Sequence, residues 1–154
     1  MSSEPVTIRP ARPEDAATII DFQLAMAWES EQLALDAATL TAGVQAVFDD
    51  PARGRYFVAE DGTRVLGCLL TTYEWSDWRN GTVVWIQSVY VVPEARGRGI
   101  YRRLYERVRA EVEARDDWKG VRLYVERQNT GAQAVYERLG MTKEHYDLFE
   151  WLKG

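Results

Sequence analysis

Arg96, Gly97, Arg98 and Gly99 crowd the stretch "PEARGRGIYRRLYERV", directly after the apolar run "WIQSVYVV". A strand, a proline, a short loop with two glycines and then a helix is the layout of an anion site. The first N–H groups of a helix have no internal partner, and the helix dipole is positive there. Glycines let the backbone close on a phosphate with no side chain in the way. The N–H groups of Gly97, Arg98, Gly99, Ile100, Tyr101 and Arg102 could then converge on one ligand. The Walker pattern GxxxxGK[ST] is absent, and Arg102 stands where the third glycine of GxGxxG would be. Two other readings of the stretch are a nucleic-acid patch and a helix start with a solvated charged face. Glu106, Glu111 and Glu113 alternate with the helix arginines, and the formal net charge is −5, which speaks against nucleic acid.

The chain that must position this loop has 154 residues, 46% of them apolar and 28% charged. That predicts one globular domain over residues 1–154. One cysteine, Cys68 in "VLGCLLTTY", excludes an internal disulfide framework and fits a cytoplasmic protein. It reads as a small buried hydrophobe. One His and one Cys exclude the common His/Cys metal sites, so no metal is expected. "MSSEPVTIRP" lacks the basic and apolar regions of a signal peptide. No apolar run approaches the roughly 20 residues of a membrane span.

Hydrophobic periodicity supplies the elements. "VTIR" (6–9) reads as a strand, and Pro13 opens a helix with Ala16, Ile19, Ile20 and Leu24 on its face. "MAWESEQLAL" reads as its end and a connection. Asp36 is a candidate N-cap for a second helix through Phe48. "RYFVAE" and "RVLGCLLTTYEW" around "DGT" read as a hairpin, followed by a long strand over 82–92. Ile100, Leu104, Val108 and Val112 recur every four residues and predict a helix over 99–115. A strand over 120–126, a helix over 130–139 stopped by Gly140, and a last strand over 143–152 complete the chain. The order β-α-α-β-β-β-α-β-α-β is α/β with a mixed sheet flanked by helices.

Two motifs resemble the GNAT superfamily of N-acetyltransferases. "VYVVPEARGRGIYRRLYERV" is similar to that family's acetyl-CoA signature, Arg/Gln-x-x-Gly-x-Gly/Ala after a strand ending apolar-x-Val-x-Pro. Tyr101 departs from it, at the final Gly/Ala position. Asn129, Ala132, Tyr136, Gly140 and Met141 follow the spacing of the family's Asn-x2-Ala-x3-Tyr-x3-Gly-Phe motif, with Met for Phe. The resemblance covers residues from about 6 to 151.

The resemblance implies a splayed single-domain sheet and direct acetyl transfer from acetyl-CoA to an amine. Transfer of another acyl group and a non-catalytic CoA-binding or regulatory module are the alternatives. Val89 and Val91 would offer backbone groups to pantetheine, and Asn129 would contact the same arm, its other reading being the cap of the helix that follows. The N–H groups of residues 97–102 would hold the pyrophosphate, with Arg96 and Arg98 adding charge-assisted bonds. Tyr136 would protonate the leaving thiolate, since a phenol stays protonated at neutral pH. Many relatives place a Glu where this chain has Gln87, and a carboxamide is no general base. Glu29 and Glu74 rank first among the groups that could take the amine's proton, ahead of Glu31, Asp77 and His145. "MAWESEQLALD" and "TYEWSDWRNG", with Glu31, Trp75 and Asp77, suit a cationic acceptor through charge and cation–π contact. The rival reading of Trp75, Trp78 and Trp85 is cross-strand packing or a dimer interface. Dimers are common in the family, so a homodimer is an expectation. Tyr101 is expected to turn its ring away from the phosphates, beside the loop or toward Tyr105.

Overall fold

The computed structural model describes residues 5–154. It forms two compact units, one running through Tyr124 and one comprising Val125–Gly154. In the first, β1 (Thr7–Pro10), β2 (Arg55–Glu60), β3 (Val65–Ser76), β4 (Gly81–Val91) and β5 (Trp118–Leu123) make one sheet in that order. The pairs β1–β2, β2–β3 and β3–β4 are antiparallel, and β5 runs parallel to β4. Helices α1 (Ala16–Glu31), α2 (Ala37–Asp49) and α3 (Ile100–Ala114) complete this unit. The expected mixed α/β sheet is therefore present.

Local chemistry explains the joints. Asp61 Oδ1 accepts from the N–H groups of Thr63 (3.3 Å) and Arg64 (3.0 Å), which closes the β2–β3 hairpin. Asp36 caps α2 as expected, accepting from the Thr39 N–H at 2.9 Å. On α3, Ile100, Leu104, Val108 and Val112 are all buried, each contributing about 1.5–3 kcal/mol. The α3 side chains meet β2, where Arg107 lies 5.3 Å from the Phe57 ring centroid and Glu111 pairs with Arg55 at 2.9 Å. Phe57 opposes Leu69, whose neighbour Cys68 opposes Tyr90. Successive strand residues point to opposite faces. Tyr90 meets Phe22 of α1 at 5.2 Å, so α1 and α3 cover opposite faces of the sheet. Cys68 is fully buried there, and burial pushes its thiol up to about 12.

Residues 26–31 depart from the expected connection, because α1 continues through Glu31. Ser30 Oγ donates to the Met26 carbonyl at 2.7 Å, and the helix stops only at Gln32, which is left-handed at φ 52°. Glu29 is thereby placed on a helix rather than in a loop.

One ion cluster pins the start of the chain. Arg9 donates to Asp15 at 2.8 and 3.1 Å and to Glu60 at 2.9 and 3.1 Å. Asp15 is buried and also accepts from the Arg12 N–H at 2.7 Å. The Arg9 bonds hold its carboxyl below the usual carboxylate range. A lowered carboxyl stabilises the fold above its unfolded pKa of about 3.9 and loses that contribution as pH falls through the lower folded value. Asp15→Asn is expected to cost roughly 2 kcal/mol near neutral pH. In urea melts, the gap to the parent protein should close as pH falls below about 4.

In the second unit, α4 (Thr130–Arg138) ends at Gly140 with φ 92°, as expected, and the Met141 N–H donates back to the Tyr136 carbonyl at 3.0 Å. Arg127 and Asp147 form an ion pair. The strand expected over 143–152 is not formed. That segment has no regular structure, and Tyr146, Leu148, Phe149, Trp151 and Leu152 are exposed. Alternation makes a strand only where a neighbouring strand supplies the ladder. Among the described residues no helix is long and apolar enough to cross a membrane.

Candidate active site

The parallel neighbour covers only part of β4. β5 pairs with β4 from Thr82 to Ile86 and no further, while β3 follows β4 to Val91. The Val92 N–H bonds to the Leu66 carbonyl on β3 at 2.9 Å. Backbone groups alternate along an antiparallel strand. Val91 and Val89 therefore turn their N–H and C=O groups toward the open edge. These are the two residues expected to meet an extended ligand arm.

The chain leaves that edge through the short 3-10 turn Pro93–Ala95 and enters the glycine loop. Gly97 (φ 82°) and Gly99 (φ 76°) are both left-handed, a conformation that glycine adopts without strain. A Cβ at either would meet nothing within 4 Å, so the space beside the loop is open to a ligand. Gly99 is the N-cap of α3, and its carbonyl receives the first helical bond, from Arg103, at 3.1 Å. The N–H groups of Ile100 and Arg102 thus have no acceptor within the helix. Arg98 and Arg102 are exposed, and Arg102 faces Glu106 at 3.5 Å. Tyr101 is half-buried on the first turn of α3. The residues present fit a diphosphate, with bare backbone donors, a helix start and exposed cationic side chains around open space.

Arg96 is held differently. Its Nε donates to the Val91 carbonyl at 2.9 Å and its Nη2 to Glu29 Oε1 at 2.9 Å. The Tyr90 hydroxyl donates to the other Glu29 oxygen at 2.9 Å. Hydrogen bonds from Arg96 and then Tyr90 hold the Glu29 carboxyl below its ordinary range.

A second polar group crosses the sheet on the α1 face. Glu74 of β3 accepts from Trp85 Nε1 at 2.6 Å and from Arg122 Nη1 at 3.2 and 3.1 Å. Trp85 packs on Tyr124 with centroids 4.7 Å apart. Gln87 is exposed and donates at 2.8 Å to Oγ1 of Thr72, the residue opposite Trp85 on β3. Glu74 and Gln87 are thus brought to one face. Trp75 alternates to the other face and is 65% exposed. Glu31 and Asp77 are exposed at the end of α1 and in the β3–β4 turn.

In the second unit, Asn129 caps α4 by accepting from the Ala132 N–H at 3.1 Å. Tyr136 is half-buried on that helix, and burial pushes its phenol up to about 12. Tyr90, Thr72 and Arg122 were not singled out from the sequence. Tyr90 and Arg122 sit in strand patterns that read as packing, and only the fold reveals their carboxylate partners.

Comparison with known proteins follows the same lines. Residues 20–141 match the model of the Acetyltransferase (GNAT) family. A possible acetyltransferase from Clostridium difficile 630, of solved structure, is 41% identical with a TM-score of 0.90, covering 97% of this chain and 99% of that one. An aminoglycoside N-acetyltransferase solved in complex with CoA shares the fold at a TM-score of 0.80 and 15% identity, covering 100% of this chain and 98% of that one. The mycothiol acetyltransferase of Pseudarthrobacter chlorophenolicus is 34% identical over 155 positions, 94% of this chain and 45% of that protein. That of Streptomyces griseus is 33% identical over 147 positions, 94% of this chain and 46% of that protein. The chain spans about half the length of the curated relatives it matches. With a family match across residues 20–141 and a structural relative matched along nearly its whole length, the chain belongs to the acetyltransferase (GNAT) family.

Proposed function

We propose that this chain transfers an acetyl group from acetyl-CoA to a primary amine of a small molecule or peptide. The observation that carries this reading is the open edge of β4, which runs into a loop with two left-handed glycines and a helix start. The outward groups of Val89 and Val91 suit an extended pantetheine arm, and residues 97–102 suit its diphosphate. Asn129 is assigned to the same arm, beside its capping role.

In this reading a neutral amine attacks the thioester carbonyl and the CoA thiolate leaves. Tyr136 is the general acid, and its raised pKa keeps it protonated at neutral pH. Gln87 has no proton-accepting role. Glu74 is the carboxylate we assign to the amine's proton, reached through water. Its Oε2 receives a single bond, from Arg122, and so retains lone pairs. Glu29, the other carboxylate expected in this role, has an oxygen committed to each of Tyr90 and Arg96. Glu31, Trp75 and Asp77 belong to the wider acceptor surface. The single buried Cys68 suits a cytoplasmic setting. A homodimer is part of this reading on family grounds alone.

Incubation with acetyl-CoA and a panel of polyamines, aminoglycosides, amino acids and mycothiol-type acceptors tests it. Amine-dependent release of free CoA, with an acetylated product by mass, is the expected result. CoA binding with no acceptor turned over would favour the non-catalytic module that Gln87 keeps open. Release with other acyl-CoA donors but not acetyl-CoA would reassign the donor.

A further inference from the structure

Glu29 sits in the last turn of α1, 67 residues before Arg96, yet both of its oxygens are spent on the strand and loop that border the open edge. Arg96 folds back along the Tyr90 ring, with its guanidinium 5.5 Å from the ring centroid. One nitrogen of that group caps the Val91 carbonyl and another meets Glu29. As an ion pair this contact is weak, because its side chains are 49% and 40% exposed. Its place gives it consequence. Arg96 is the residue immediately before Gly97, and a glycine loop has backbone freedom that a ligand must otherwise remove on binding.

We infer that Glu29 is a positioning residue for the CoA diphosphate: acting through Arg96, it holds the glycine loop in its binding shape. Three things follow from the geometry. Arg96 is already engaged by Glu29, so the exposed cationic side chains beside the loop are those of Arg98 and Arg102. The Val91 carbonyl is already satisfied, so the group Val91 offers at the open edge is its N–H. Glu29 also joins α1 to the loop, so a change at one is felt at the other. This rests on the reading of the loop as a CoA site and deepens it.

Isothermal titration of CoA into the full chain tests the inference without any amine acceptor. Glu29→Ala is expected to weaken CoA binding about tenfold, and Arg96→Ala by a similar factor. The Glu29→Ala/Arg96→Ala double variant should be no weaker than either single one, because both remove the same strap. Glu29→Gln should fall between Glu29→Ala and the parent, since its amide oxygen can still accept from Arg96. Thermal melts of Glu29→Gln should match the parent, which separates the loss from unfolding. With an accepted amine, Glu29→Ala should raise KM for acetyl-CoA and leave kcat at saturation near the parent value. Unchanged CoA affinity in Glu29→Ala, additive single effects, or a large fall in kcat at saturating acetyl-CoA would each overturn the inference. A parent protein that binds no CoA would overturn both this and the proposed function. A parent that binds CoA but acetylates no amine would count against the proposed activity alone, with the titrations still deciding the role of Glu29.

Discussion

Replacing Tyr136 with Phe is expected to lower kcat by about 100-fold while leaving the CoA dissociation constant within about twofold. The size follows from the usual worth of a positioned proton donor, roughly 100- to 10,000-fold, and from the state of this phenol. Burial pushes it up to about 12, whereas an ordinary thiol titrates near 8.5. Full proton transfer to a thiolate would then be uphill by roughly three powers of ten. As general acid, Tyr136 would first donate a hydrogen bond to the charge developing on sulfur, with its proton following uphill, which places the loss at the low end of the range. Phe keeps the ring and its packing, so binding should survive. Because the phenol stays neutral far above neutrality, any alkaline fall in kcat below about pH 10 must belong to another group. Stopped-flow or steady-state rates across that range check both points. Equal rates for the two proteins would remove Tyr136 from the mechanism.

The second large effect concerns the loop. Gly99→Val is expected to raise the CoA dissociation constant by at least about 100-fold, or about 2.7 kcal/mol. A side chain at φ 76° costs roughly 1–2 kcal/mol if the backbone keeps its shape. If the backbone instead relaxes, the start of α3 is no longer aimed at the ligand. In either case a branched side chain enters the space a diphosphate would occupy. The fold should still form, since a Cβ at Gly99 meets no atom within 4 Å, but with the loss of stability that the left-handed backbone imposes. A fall of several degrees in melting temperature beside a much larger proportional loss of affinity is therefore the signature. Matching losses in both would make the glycine a structural requirement only.

Much of this was legible in the sequence because it is local. The spacing Arg96-Gly97-Arg98-Gly99 announced a tight loop before a helix, and both glycines there are left-handed. Asp36, Asn129 and Gly140 announced helix ends through their own hydrogen bonds and φ angles. What escaped was set by partners distant in the chain. Leu24 is the last clear apolar position of the first helix face, so the pattern placed Glu29 in a connection. The helix continues because Met, Ala and Glu favour helix without burial, and its last turn brings Glu29 to Arg96 and Tyr90. Glu74 looked like a free carboxylate until the sheet placed Trp85 and Arg122 beside it. The residues at 143–152 are apolar and aromatic enough to read as a strand, but no ladder forms there.

The central claim is that acetyl-CoA lies along the open edge of β4 with its diphosphate on the glycine loop. Amide hydrogen exchange, followed residue by residue with and without acetyl-CoA, tests it most directly. Strong slowing at the Val89 and Val91 N–H groups and across residues 97–102, with little change on α2, is the expected result. Unchanged exchange at those amides in protein saturated with acetyl-CoA, or protection confined to other segments, would contradict it.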